Sequence, residues 1–153
     1  MYNLLNRCFQ STRAAAAVEF ALLVPIILLT TAVIVELGRG LAQAQAVEKG
    51  LRGGVMVAAR SSSPMTSAEK TVVKRMVMTG TVATGGTPLV DGWTDTNSVV
   101  ISETTTVVNG EDIEVVTLTA TVPYVELLPG VAGMFGLADV TVKTVHAQVY
   151  IGN

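Results

Sequence analysis

Between residues 14 and 35 the chain carries a single charge, the carboxylate of Glu19. No other stretch restricts its folding so strongly. As a helix the run measures about 33 Å at 1.5 Å per residue, which matches a hydrocarbon core of roughly 30 Å. Alanine, leucine, valine and isoleucine fill it. Thr30 and Thr31 can return their hydroxyls to the helix backbone. Pro25 removes one amide donor, and membrane helices tolerate such a break as a kink rather than an end. Two other readings compete. A cleavable secretory signal has a basic start, an apolar core of about 7–15 residues and a small-x-small site. Arg7 and Arg13 supply the first and Ala42-Gln43-Ala44 can supply the last, but the core is too long and Glu36 and Arg39 intervene. A buried helix of a soluble protein needs more domain around it than 153 residues provide. The run reads as a membrane span with one anomaly. A charge at the bilayer centre costs about 2.5–3.5 kcal/mol or more and is rarely kept without a partner.

The remaining residues suffice for one modest domain. Ten basic and twelve acidic residues give a net charge of -2 without long runs, so the clustered basic face that nucleic acid requires is missing. Cys8 is the single cysteine, which excludes an intrachain disulfide. His146 is the single histidine and reads as a packing or surface residue, so no zinc set can be completed. Glu111, Asp112 and Glu114 fall at a turn and have too few oxygen neighbours for a calcium loop. No nucleophile elbow or phosphate-binding glycine loop occurs. The expectation is a non-enzyme without cofactor or metal. Basic residues do not orient the span: Arg7 and Arg13 precede it, while Arg39, Lys49 and Arg52 follow it.

Beyond the span the helical period continues. Leu37, Leu41, Ala44, Val47, Leu51, Val55 and Ala58 recur at three or four residues, predicting an amphipathic extension of one helix over 14–59, with Gln43, Gln45, Glu48, Lys49 and Arg52 mostly off that stripe. Gly50 and Gly54 form a small-xxx-small pair that permits close helix approach, or simply loosens the helix. Ser61-Ser62-Ser63-Pro64 ends it. Thr66-Ser67-Ala68-Glu69 is a capping box for a second helix reaching Thr79, with Gly80 as its stop and Val72, Val73 and Met76 as its buried side. Residues 80–97 read as a loop with Trp93 folded back onto the domain. Val99, Ile101, Val107 and Val108 then lead into Asn109-Gly110 and on to Ile113, Val115, Leu118 and Val122, a hairpin signal. Pro123, Pro129, Gly130, Gly133 and Gly136 make a loop in which Leu127, Leu128, Met134 and Phe135 lie exposed or tucked under. Residues 140–151 form a last strand. Three antiparallel strands need a cover on one face, and the amphipathic half of the long helix is available. The fold class is α+β: a long N-terminal helix packed on a small antiparallel sheet of about three strands.

Arg13-Ala14-Ala15-Ala16-Ala17-Val18-Glu19-Phe20-Ala21-Leu22-Leu23-Val24-Pro25 resembles the N-terminus of the TadE-like pseudopilins, minor pilins of the tight-adherence (Flp, type IVc) pilus system. The resemblance continues through Val35-Glu36-Leu37-Gly38-Arg39 and the Ala-Val-Glu-Lys-Gly-Leu-Arg-Gly-Gly-Val stretch. It returns at Val122-Pro123-Tyr124 and Leu127-Leu128-Pro129-Gly130. Residues 61–98 match nothing in the family's pattern. The resemblance implies cleavage by a prepilin peptidase on the cytoplasmic side, between Ala14 and Ala15, where the family usually has glycine before the cut. It implies a cleaved leader over 1–14, a transmembrane helix over 15–37 and an extracytoplasmic head over 38–153. Glu19, Phe20 and Pro25 become subunit-assembly residues. The new α-amino group at Ala15 is the expected partner of the Glu19 carboxylate, since the two charges offset one another's desolvation. Without cleavage, Glu19 is simply an acid near a helix start, where it complements the macrodipole. Implied partners are the peptidase, other Tad pilins and minor pilins, and the bacterial inner membrane, with pilus or cell surface as the final location. The alternative is an uncleaved membrane-anchored envelope protein whose extracytoplasmic domain binds a partner.

Overall fold

Helix α1 runs over Thr12–Ala58 without interruption at Pro25. The computed structural model describes residues 12–128, 130–134, 136 and 140–151. The expectations for Arg7, Cys8, Pro129, Phe135 and the first eleven residues of the leader lie outside these described residues. Apolar composition sustains α1 in its first half, where Thr30 and Thr31 donate to the carbonyls of Ile26 and Ile27 at 2.8 Å each, as their positions in the span predict. Its second half is sustained by packing. Val47, Leu51, Val55 and Ala58 are buried at three- and four-residue intervals and face the rest of the molecule.

A capping box starts helix α2, Ser67–Thr79. Glu69 N–H donates to the Thr66 hydroxyl, Thr66 N–H donates to Glu69 Oε2, and Gly80 closes the helix at φ 72°. The Glu69 carboxylate also accepts from the Ser62 amide at 3.0 Å and the Ser62 hydroxyl at 2.7 Å. These bonds, the Ser62 amide foremost, hold its carboxyl down from 4.5 to about 2. The buried side of α2 is Val73, Val77 and Met78. Val72 and Met76, expected there, are only half-buried. The face turns because α2 meets α1 at the two glycines. A Cβ on Gly50 would lie 2.0 Å from the Val77 carbonyl oxygen, and one on Gly54 would lie 2.2 Å from Val77 Cγ2. The close approach that the small-xxx-small pair permits is made to α2 of the same chain.

After a 3₁₀ turn over Thr96–Ser98, strands β1 (Val99–Val108), β2 (Glu111–Pro123) and β3 (Thr141–Val149) form one antiparallel sheet in the order β1-β2-β3. Asn109 at φ 52° and Gly110 at φ 86° make the two-residue turn that their side chains favour, pairing Val108 with Glu111. That register places Val116, Leu118, Ala120 and Val122 on one face, all buried under α1. Trp93 folds back and is buried, its Nε1 donating to Ser98 Oγ at 2.7 Å. Val140 and Ile151 fall just outside β3. Between β2 and β3 a short helix α3, Val131–Met134, occupies the segment expected as loop, with Leu127, Leu128 and Met134 exposed. Glu111, Asp112 and Glu114 face solvent, and His146 sits on the inner face of β3, 3.8 Å from Glu48.

Candidate assembly helix and its latch to the head

Each residue expected at the assembly site lies on the half of α1 that projects from the head. Ala15 and Glu19 are exposed and one helical turn apart, about 6 Å along the axis on one face. Ala14, immediately before them, is half-buried. Phe20 is 66% exposed, next to Glu19 but pointing around the helix from it, and Pro25 follows within the same unbroken helix. Val18, Leu22, Leu23, Ile26, Ile27, Leu28 and Ile34 are each more than half exposed, and they point in every direction around the axis. A helix apolar on all sides needs lipid or other apolar helices around it. This one is long and apolar enough to cross a membrane.

Glu36 is where the helix meets the head. It is 1% exposed, and Gln43, two turns later, is 7% exposed. The amphipathic stripe read from the sequence is wrong here: Leu37 and Leu41 are exposed at 51% and 66%, and Gln43 takes the buried place. The reason is the segment that crosses this face. Past the end of β2 the Tyr124 amide still donates to the Val140 carbonyl at 2.9 Å, and side chains of α1 bond other peptide groups of residues 123–127. Gln43 Nε2 donates to the Pro123 carbonyl at 2.7 Å and its Oε1 accepts from the Val125 amide at 3.1 Å. Arg39 Nε donates to the Val125 carbonyl at 3.1 Å, and Glu36 Oε1 accepts from the Leu127 amide at 2.9 Å. The Tyr124 hydroxyl donates to the Glu36 carbonyl at 3.1 Å. Burial first, and then neighbouring Glu36, push the Tyr124 phenol up to about 12, so it stays a neutral donor throughout the physiological range. A buried peptide group left unpaired costs about 1–3 kcal/mol, so amide and carboxylate side chains displace leucines from this face.

The latch thus joins two sequence stretches about 90 positions apart: 35–39, and 122–128 at and beyond the end of β2. Sequence reasoning missed the latch. One signal was present, since Glu36, Arg39 and Gln43 follow one another at spacings of three and four and so lie on one side of the helix. What those polar groups bind could not be read from period alone.

The model of the family described as TadE-like protein matches residues 14–56. No curated protein and no solved structure matches the chain. The matched stretch holds both halves of the site, from Ala15 and Glu19 on the bare apolar helix to Glu36, Arg39 and Gln43 in the latch, and over these residues the chain is similar to that family.

Proposed function

We propose that this chain is a minor pilin, or pseudopilin, that a prepilin peptidase trims between Ala14 and Ala15 before it enters a Tad pilus. The role is structural rather than catalytic. In the inner membrane, α1 spans the bilayer and the α+β head lies outside the cytoplasm. On assembly the apolar first half of α1 exchanges lipid for the helices of other pilins, and the head caps or initiates the structure, from where it contributes to adhesion. The family match over 14–56 carries this reading, because it covers the expected cut, Glu19 and the exposed apolar helix together. The structure supports it in one further respect: Ala15 and Glu19 share a face and both are open to a neighbour.

Glu19 is then the residue that registers subunits. Its carboxylate meets an α-amino group made at Ala15 by cleavage, and in a water-poor filament core each charge offsets the other's desolvation. Replacing Glu19 by Gln leaves insertion of the helix intact and sharply lowers incorporation into pili, read by comparing membrane and sheared-pilus fractions. Normal incorporation of Glu19→Gln contradicts the pairing.

A further inference from the structure

Helix α2 and the loop leading to the 3₁₀ turn line a cavity of about 670 Å³. That volume lies in the range of small-ligand sites, roughly 300–1,000 Å³. Lys70, Lys74 and Arg75 line it, and no carboxylate does, in a chain whose net charge is -2. The three cations differ in state. Lys70 is neutralised by Glu103, 2.7 Å away, and this contact holds the Glu103 carboxyl below its usual range. Lys74 and Arg75 have no acidic partner among the described residues. Instead, Lys74 Nζ donates to the Thr96 carbonyl at 3.0 Å and Arg75 Nη1 donates to the Val82 carbonyl at 2.9 Å. Those carbonyls position both cations without offsetting their charge, and each retains unused donors. The apolar part of the lining is Met78 on α2 with Pro88 and Trp93 from the loop, while Thr71 and Thr94 add hydroxyls.

We propose that this cavity binds an acidic oligosaccharide. Its carboxylates sit on Lys74 and Arg75, its hydroxyls meet the threonines, and the C–H face of a sugar ring lies on the apolar wall. A membrane headgroup fits the position less well. Helix α2 packs on α1 around Gly50 and Gly54, roughly 20 Å along the helix from Glu36, where the head begins. The α2 wall of the site is therefore packed on α1 well beyond the apolar span.

Trp93 is the only tryptophan in the chain and lines the cavity, so its fluorescence reports binding in the full-length protein held in a nanodisc. Titration with oligogalacturonate produces a saturable change, and a neutral maltooligosaccharide of equal length produces none. Lys74→Gln combined with Arg75→Gln weakens binding by about tenfold or more, as expected for loss of charge-assisted bonds. Lys49→Gln combined with Lys143→Gln, which removes the same charge elsewhere, leaves the affinity unchanged. Thermal melts establish that each variant is folded, and Lys74→Gln alone serves if the pair is not. Equal binding of the neutral sugar overturns the proposal. So does equal loss in the Lys49/Lys143 pair, saturation by inorganic phosphate alone, or a response confined to phosphatidylglycerol vesicles. These outcomes concern the head alone, so they stand or fall separately from processing and pilus assembly.

Discussion

Gln43 shows how one side chain settles the attachment of an element. Its amide serves the Pro123 carbonyl and the Val125 amide at once, a pairing no aliphatic side chain reproduces. Gln43→Leu keeps the volume and leaves both peptide groups without their partner, which costs about 2–4 kcal/mol if water does not replace it. Faster hydrogen exchange at Val125 and a lower melting temperature are the expected results. Glu69 makes a pH-dependent contribution of known sign. Its folded pKa of about 2 lies below the ordinary 4.5, so its stabilisation is fully present above 4.5 and is lost as pH falls from there toward 2. The melting temperature of Glu69→Gln therefore lies below that of the parent at pH 7, and the two converge near pH 2. An unchanged gap at both pH values contradicts this. Glu69 was legible in the sequence because its partners lie within seven residues, whereas the partners of Gln43 lie 80 and 82 residues away.

At the scale of elements, local chemistry and non-local contact divide the molecule in the same way. The capping box, the Gly80 stop and the Asn109-Gly110 turn are written in adjacent residues, and the structure forms each of them as expected. Helical period gave the length of α1 but not its inward side near residues 36–43, since carbonyls from a distant strand decide which residues are buried. The glycine pair lies between these cases. Its spacing announced a close contact, and only the folded chain identifies α2 as the partner. A methyl group at Gly50 has no room beside the Val77 carbonyl, so Gly50→Ala forces α2 outward and costs about 1–3 kcal/mol or more. Chemical denaturation of the full chain in detergent measures that loss. Gly38, whose surroundings are open, is the control: Gly38→Ala leaves stability equal or slightly raised.

The whole molecule is an apolar rod with a latched head. The rod's first half makes no core of its own, and the head's core lies between the second half of α1, α2 and one sheet face. The latch stands at the junction, so movement of the head relative to the rod requires breaking the bonds of Glu36, Arg39, Gln43 and Tyr124. Pulling on the head therefore passes force directly to the exposed apolar helix. In the sequence this division was visible as a change from apolar on all sides to apolar on one. The catalytic step that would convert the rod into a subunit is not written in the fold. It rests on the N-terminal pattern, and the mass of the natively produced protein tests it most directly. Our account predicts a polypeptide beginning at Ala15, and a protein that retains Met1, or that starts near Gln45, contradicts it.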